Sequence, residues 1–281
     1  MTIVALHGGV SGSPKEPQPL SHALAAGIAQ RLALDAVEQA VRVLEDDPAL
    51  NAGTGSVLNA SGELELDAGV MDGVSGRAGG VANVAVRNPV VLARRVLEDT
   101  PHVLVTGEGA RALGADLEQI GPTAEQLERY ERARAEGRLD PARFGAPEHV
   151  DTVGAVALGD DGGLAAASST GGVFGKLPGR VGDAPVPGAG LYADARAAVV
   201  GTGVGELFLR TSACLRVALL IGGGAPPQQA CEHVIALLGA LGPYPAGLLA
   251  LDRAGRIGAA YRGATWPVAC SLGELIPARL P

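Results

Sequence analysis

The chain has 281 residues, 47% of them hydrophobic and 19% charged, which is the composition of a folded globular protein and excludes general disorder. Its formal net charge of −8 provides no basic surface, so neither nucleic acid nor an anionic membrane is an expected partner. No run approaches the roughly 18 apolar residues of a membrane helix, and the start, MTIVALHGG, lacks the regions of a signal peptide, so a cytoplasmic location is expected.

The first half predicts a strand followed mainly by helices. Residues 2–6 form the strand, and Ser21 is placed to cap a long helix that reaches about Glu45. The later elements are a strand from Glu63 to Ala68, a helix opened by Asn88 and Pro89, a helix over 107–118, and a charged stretch from Glu125 to Arg138 whose Glu/Arg spacing suits an exposed helix.

The second half restarts with strands after a change in composition. Residues 121–151 include a Gly/Pro-containing stretch that is typical of an exposed linker, where chains tolerate cleavage. Thr152–Leu158 and Leu164–Ser168, joined by a turn, predict a hairpin. Strands at 199–200 and 248–251 and helices at 205–221 and 227–241 follow. Strands and helices in blocks favour an α+β fold of stacked antiparallel sheets covered by helices over a doubly wound parallel sheet.

Thr152 is the first candidate nucleophile, because it joins the linker to a strand whose first side chain is a hydroxyl. β-propensity alone could explain a threonine there. The hairpin, however, returns Ser168, Ser169 and Thr170 beside it, because antiparallel neighbours bring the start of one strand near the end of the other. A hydroxyl nucleophile with supporting hydroxyls is therefore one hypothesis.

Two later segments could serve a substrate. Arg180 and Asp183 stand three residues apart on a Gly/Pro-rich loop and could hold the carboxylate and ammonium of an amino acid, or could form only a surface ion pair. Gly201–Glu206 enters a helix and presents main-chain N–H groups suited to an oxyanion, although an isolated glycine loop is weak support.

The order of these motifs resembles the plant-type asparaginase and isoaspartyl peptidase family of N-terminal-nucleophile hydrolases. The matching stretches are HDTVGAVAL, SSTGGVFGKLPGRVGDAPVPGAGLYAD and GTGVGE in the second half, and LEDDPALNAGTGSVL, ELDAGVMDG and RNPVVLARRVLEDTPHVLVTGEGA in the first. The resemblance spans roughly residues 2 to 265 and fails over 121–148.

This resemblance implies a four-layer αββα sandwich, made as one domain of residues 1–281 and cut between Asp151 and Thr152 into an α chain (1–151) and a β chain (152–281). The freed amine of Thr152 would act as its base. The implied reaction is hydrolysis of L-asparagine or of β-aspartyl dipeptides, without a catalytic cofactor, by a homodimer of cleaved protomers. The alternatives are hydrolysis of glycosylasparagine and a non-cleaving binding homologue.

The resemblance also assigns roles to single residues. Thr170 would tune Thr152, Thr202 and Gly203 would form the oxyanion hole, and Asn51 would lie near the cut. Arg180 would bind the substrate carboxylate and Asp183 its ammonium, with help from the Gly205 backbone. A structural sodium ion would be held by the backbone of Leu44, Glu45, Asp47, Leu50, Ala52 and Thr54.

Two departures from the family pattern bear on specificity. Asp151 replaces the glycine that many members have before the nucleophile, as in the glycosylasparaginase branch. Val204 replaces a threonine and removes one hydroxyl near the substrate.

Overall fold

The computed structural model describes residues 1–10, 20–139 and 152–281. The strands in these ranges are β1 (Ile3–His7), β2 (Leu66–Asp72), β3 (Ala78–Val84), β4 (Leu104–Thr106), β5 (Val153–Leu158), β6 (Leu164–Thr170), β7 (Leu191–Ala193), β8 (Ala197–Gly203), β9 (Ala246–Asp252), β10 (Ile257–Arg262), β11 (Val268–Cys270) and β12 (Ala278–Arg279). The helices are α1 (Leu20–Ile28), α2 (Ala33–Asp46), α3 (Pro89–Asp99), α4 (Gly107–Leu113), α5 (Ala124–Ala135), α6 (Gly205–Thr211), α7 (Ala213–Gly222) and α8 (Pro227–Gly239). None of the described helices is long and apolar enough to cross a membrane.

Two sheets face each other in the middle of the molecule. One has the strand order β11-β1-β5-β6-β2-β3-β4 and the other β12-β10-β9-β8-β7. Helices α2 and α3 pack on the first sheet, α7 and α8 pack on the second, and β5 and β6 contact β8 across the interface. The expected α+β fold, an αββα sandwich, is confirmed.

Alternate side chains of the central strands pack into two different cores, one on each face of the first sheet. In β5, Ala155 and Ala157 belong to the core beneath α2 and α3. Val156, between them, belongs to the core between the two sheets, with Val200 and Leu249 from the second sheet. Because successive side chains of a strand point to opposite faces, a strand buried on both faces is apolar throughout.

Glycine allows two helices to lie directly on the sheets. A Cβ atom on Gly79 of β3 would lie 2.1 Å from the Ala93 carbonyl of α3, and one on Gly258 of β10 would lie 2.2 Å from Pro227 of α8. Any side chain there would force the helix away, so part of the high glycine content serves helix–sheet packing.

The single helix predicted from Ser21 to Glu45 was wrong, because the chain breaks between α1 and α2. Ser21 also does not cap it, since α1 begins one residue earlier. The carbonyls of Gln30 and Arg31 in the break accept hydrogen bonds from the Thr2 hydroxyl at 2.6 Å and the Asp160 N–H at 2.8 Å. Tertiary partners therefore replace the helical bonds that the local sequence favours.

The helix predicted over 205–221 is likewise two helices. Ser212 adopts a left-handed φ of 50° between α6 and α7. The first N–H groups of α7, from Cys214 and Leu215, donate to the carbonyls of Ala189 and Gly188. These long-range partners stabilise the break.

Candidate active site

Thr152 lies immediately before β5, and the chain buries it almost completely. Its backbone N–H donates to the hydroxyl oxygen of Thr202 over 3.3 Å. Thr202 comes from β8 of the opposite sheet, so this bond crosses the interface between the sheets. Asp151, whose peptide bond to Thr152 is the predicted cleavage site, falls outside the described residues.

Thr170 lies beside Thr152 through the pairing of β5 with β6. Val153 pairs with Ser169, and one further step of this antiparallel register brings Thr152 opposite Thr170. The Thr170 hydroxyl oxygen accepts the Gly172 N–H at 2.9 Å, which fixes the orientation of the side chain. Thr152 and Thr170, which the sequence analysis expected to be neighbours, are therefore opposite each other in the sheet.

Thr202, at the end of β8, completes a hydroxyl cluster with Thr152 and Thr170. The fully buried Thr202 hydroxyl oxygen also accepts the Val10 N–H at 3.3 Å. A Cβ on Gly203 would lie 2.7 Å from the Pro245 carbonyl, so only glycine fits beside it. Val204 is buried in the core of the second sheet and α7. An oxyanion hole at Thr202 and Gly203 stays a prediction.

Asp183 is buried and Arg180 is largely buried, so the alternative of a surface ion pair between them was wrong. The Arg180 side chain is only 10% exposed, and it pairs with Glu206. A Cβ on Gly205 would lie 2.8 Å from both Arg180 Nη2 and Asp183 Oδ1, so both polar groups lie against this glycine. Gly172, which donates to Thr170, also lies close to Arg180 Nη1 and connects this pair to the hydroxyl cluster.

Asp183 has the properties of a cation ligand. Its Oδ2 atom has no hydrogen-bond partner among the described residues. Burial raises the pKa of Asp183 to about 7, against the opposing attraction of Arg180. A bound ammonium would satisfy this carboxylate and favour its ionised form.

Four residues that the sequence analysis did not single out hold the Arg180–Asp183 loop. Glu65 accepts the Gly179 N–H with its carboxylate and the Lys176 ammonium with its carbonyl. Asp67 of β2 accepts the N–H groups of Gly182 and Asn83, and the Asn83 amide donates to the Arg180 carbonyl. The only sequence signal for Glu65 and Asp67 was their place in a strand with alternating polar and apolar residues.

Asp67 and Lys176 are charged groups buried beneath this loop. Burial raises the pKa of Asp67, while the Lys176 ammonium opposes that rise. Burial in turn lowers the pKa of Lys176, and the Asp67 carboxylate opposes that change. Each partner therefore stabilises the charge of the other.

Asn51 fixes the turn that follows Thr170. Its Nδ2 donates to the Gly172 carbonyl at 2.8 Å, its Oδ1 accepts the Val57 N–H at 3.0 Å, and its carbonyl accepts the Gly171 N–H at 2.9 Å. Because Thr170 lies opposite Thr152, Asn51 reaches the site through this turn.

His7 is a buried residue near Thr152 to which the sequence analysis assigned no role. Its register partner is Gly154, where a Cβ would lie 2.7 Å from His7 Nε2. Burial lowers the pKa of His7 to about 3, so the ring is neutral near pH 7. The Thr152 backbone opposes this shift, but neither ring nitrogen has a hydrogen-bond partner among the described residues.

The segment assigned to sodium joins α2 to a 3-10 helix at Gly53–Gly55. The Leu44 carbonyl accepts the Asp47 N–H, and the Asp47 carbonyl accepts the Leu50 N–H. Each of these oxygens keeps one lone pair for a further partner. The Glu45 carbonyl lies 2.4 Å from a Cβ position on Gly53. Carbonyl oxygens are suitable donors for a hard cation, so the donor type fits, and sodium binding stays a prediction.

Glu45 caps α3 in place of the predicted cap, Asn88, whose side chain makes no capping bond. The Glu45 Oε1 atom accepts the Val90 N–H at 3.0 Å, whereas its Oε2 has no hydrogen-bond partner among the described residues. Burial raises the pKa of this carboxyl to about 8. The folded protein therefore holds the proton near pH 7.

Glu45→Gln is expected to make the protein more stable than wild type, increasingly so from pH 5 to pH 8. In this window the unfolded chain has lost a proton that folded Glu45 retains, so wild-type stability falls as pH rises. The difference should grow by up to about 1.4 kcal/mol per pH unit. Urea unfolding in a Thr152→Ala background, with exposed Glu63→Gln as control, measures it; parallel pH profiles for Glu45→Gln and wild type would contradict it.

Comparison with known sequences points to one family. A profile of the family described as Asparaginase matches residues 3–276. The chain is 43% identical to an isoaspartyl peptidase of Escherichia coli, covering 91% of this chain and 88% of the relative. It is 39% identical to a plant-type L-asparaginase of Pyrobaculum calidifontis, over 93% and 94% of the two chains. It is 38% identical to an isoaspartyl peptidase/L-asparaginase of Rattus norvegicus, over 94% and 84%.

Proposed function

This chain belongs to the asparaginase family of hydrolases, and we propose that it is a self-cleaving threonine amidohydrolase that releases L-aspartate from L-asparagine and β-aspartyl dipeptides. The observation that carries the proposal is that the candidate nucleophile, Thr152, and the candidate substrate ligands, Arg180 and Asp183, lie in one site. The Thr152 N–H contacts the Thr202 hydroxyl at 3.3 Å, and the largely buried Arg180 and the buried Asp183 lie against Gly205, three residues after Thr202.

Self-cleavage would create the base that the reaction needs. The Thr152 hydroxyl attacks the Asp151 carbonyl carbon, the C–N bond breaks as its nitrogen takes the hydroxyl proton, and water hydrolyses the resulting ester. The freed α-amine has an ordinary pKa of about 8, so a useful fraction is neutral near pH 7. Its nitrogen lies beside the Thr202 hydroxyl, which would orient it.

Substrate hydrolysis would repeat this chemistry on a side-chain amide. Arg180 binds the α-carboxylate and Asp183 the α-ammonium, which directs the amide carbon towards Thr152. The amine takes the hydroxyl proton, the oxygen attacks the carbon, and the leaving nitrogen receives the proton. Main-chain N–H groups at Thr202 and Gly203 would stabilise the oxyanion, an effect worth about 3 kcal/mol per donor in other hydrolases. Water then releases aspartate.

Product release from three compounds tests the substrate class. Purified protein should release ammonia from L-asparagine and an amino acid from a β-aspartyl dipeptide, with aspartate as the common product. Glycosylasparagine is the third compound, because Asp151 matches the pattern of that branch. Release only from glycosylasparagine would replace the proposal, and release from none would support a non-catalytic binder.

We place the protein in the cytoplasm as a homodimer of cleaved protomers. The three cysteines are buried free thiols, which suits a reducing compartment. The dimer rests on the resemblance to the family, and light scattering during gel filtration would measure it.

A further inference from the structure

Glu206 holds one edge of the Arg180 guanidinium. Its two carboxylate oxygens accept hydrogen bonds from Arg180 Nε and Nη2, both at 3.0 Å. The Glu206 side chain is 37% exposed, whereas that of Arg180 is 10% exposed, so Glu206 approaches from the solvent side. A bidentate pair of this kind fixes the plane and direction of a guanidinium.

Asp183 is the competing partner for the same guanidinium. Its Oδ1 and the Arg180 Nη2 both lie 2.8 Å from the Cβ position on Gly205, and its Oδ2 has no hydrogen-bond partner among the described residues. A buried carboxylate with an unsatisfied oxygen strongly attracts a neighbouring cation, because the surroundings screen the two charges poorly. Direct pairing of Arg180 with Asp183 would satisfy both charges and leave them poorly placed for a substrate.

We propose that Glu206 is a positioning residue that keeps the Arg180 guanidinium turned away from Asp183, so that a carboxylate and an ammonium of one amino acid can bind the two groups side by side. This inference rests on the proposed function and adds a determinant of its substrate class. Among the described residues, Glu206 makes no hydrogen bond to Thr152, Thr170 or Thr202, so it acts on binding and not on bond cleavage.

Replacement of Glu206 tests this role in the cleaved enzyme. Glu206→Ala should raise KM by about 10- to 100-fold, because the ligand of the substrate carboxylate is misplaced, and should change kcat by less than about 3-fold. Calorimetry should show the same loss of affinity for L-aspartate. Glu206→Gln keeps the length of the side chain and should give a smaller increase in KM; it carries the test if the alanine variant does not mature.

The pH profile, measured together with the melting temperature, separates positioning from a merely structural role. The titratable groups that act on Asp183 are Arg180, Glu206, Asp67 and the Cys214 thiol. Loss of Glu206 removes a negative charge and lets Arg180 approach, and both changes favour ionised Asp183. The part of the kcat/KM profile that Asp183 controls should therefore move to lower pH in Glu206→Ala. General loosening of the fold would also hydrate Asp183 and lower its pKa, but it would lower the melting temperature and kcat as well. A shift at an unchanged melting temperature therefore identifies positioning.

Asp116 provides the matched control, because it forms a similar bidentate pair with Arg95 in an exposed region. Asp116→Ala should leave KM and aspartate affinity unchanged. If wild type binds and releases aspartate while Glu206→Ala retains the wild-type KM and pH profile, the role of Glu206 is overturned and the proposed function stands. If wild type neither binds aspartate nor hydrolyses the substrates, the proposed function fails and this inference with it. A crystal structure of Glu206→Ala should show Arg180 paired with Asp183.

Discussion

Replacement of Thr152 by alanine is expected to leave the protein as one chain of 28.1 kDa and to abolish hydrolysis. Wild type should separate on a denaturing gel into residues 1–151 and 152–281. Alanine removes the hydroxyl that we propose attacks Asp151, and without cleavage the α-amine base would not form. Loss of a nucleophile reduces activity by at least about 10⁴-fold in comparable hydrolases.

Thr152→Ser is the matched control, because it keeps a hydroxyl at the same buried position. It should still yield two chains and retain measurable activity. Mass spectrometry of the smaller fragment should show Thr152 at its N-terminus in wild type. Active wild-type protein that remains a single chain would contradict the proposed mechanism, as would a Thr152→Ala variant that is still cleaved there.

Asp183→Asn is expected to raise KM by about 100-fold, which corresponds to about 3 kcal/mol of substrate binding. One oxygen of the buried carboxylate, Oδ2, lacks a hydrogen-bond partner among the described residues, and a substrate ammonium would supply one. Asparagine keeps the shape but not the charge. Self-cleavage should continue, because the reaction at Thr152 does not use this carboxylate. Steady-state kinetics and aspartate binding by calorimetry measure the effect.

The same variant should change the pH dependence of both activity and stability. Burial raises the Asp183 pKa from 3.8 to about 7, so between these values the folded protein retains a proton that the unfolded chain has released. Wild-type stability therefore falls as pH rises, and Asp183→Asn should gain relative stability by up to about 1.4 kcal/mol per pH unit. In wild type, kcat/KM should rise through pH 7 as Asp183 ionises; the variant should retain only the later rise of the Thr152 amine.

Asp252→Asn is the control for replacing a buried aspartate elsewhere. Asp252 is buried and paired with Arg256 in the loop after β9, and Asp252→Asn should leave KM unchanged. An Asp183→Asn variant with wild-type KM would show that the substrate ammonium binds another group.

The contacts that position the proposed substrate ligands, Arg180 and Asp183, could not be predicted from local sequence. Arg180 and Asp183 stand out as charged residues on a Gly/Pro-rich loop, but their spacing equally suits a surface ion pair. Only the tertiary structure shows that Asp183 is buried and Arg180 largely so, and that Glu206 pairs with one edge of the guanidinium. It also shows that Asp67 and Asn83 hold the loop backbone. These partners lie up to 115 residues apart in the chain, so no local pattern links them.

The sequence by itself determined the α+β class, most of the helices and central strands, and Thr152 as the candidate nucleophile. Periodicity and the order of motifs are local properties, and local physical preferences suffice to express them. Only the tertiary structure decided where the helices break, since distant donors such as Thr2 satisfy the carbonyls of the break. It also decided the surroundings of Thr152, because the Thr202 hydroxyl that meets its N–H comes from the opposite sheet.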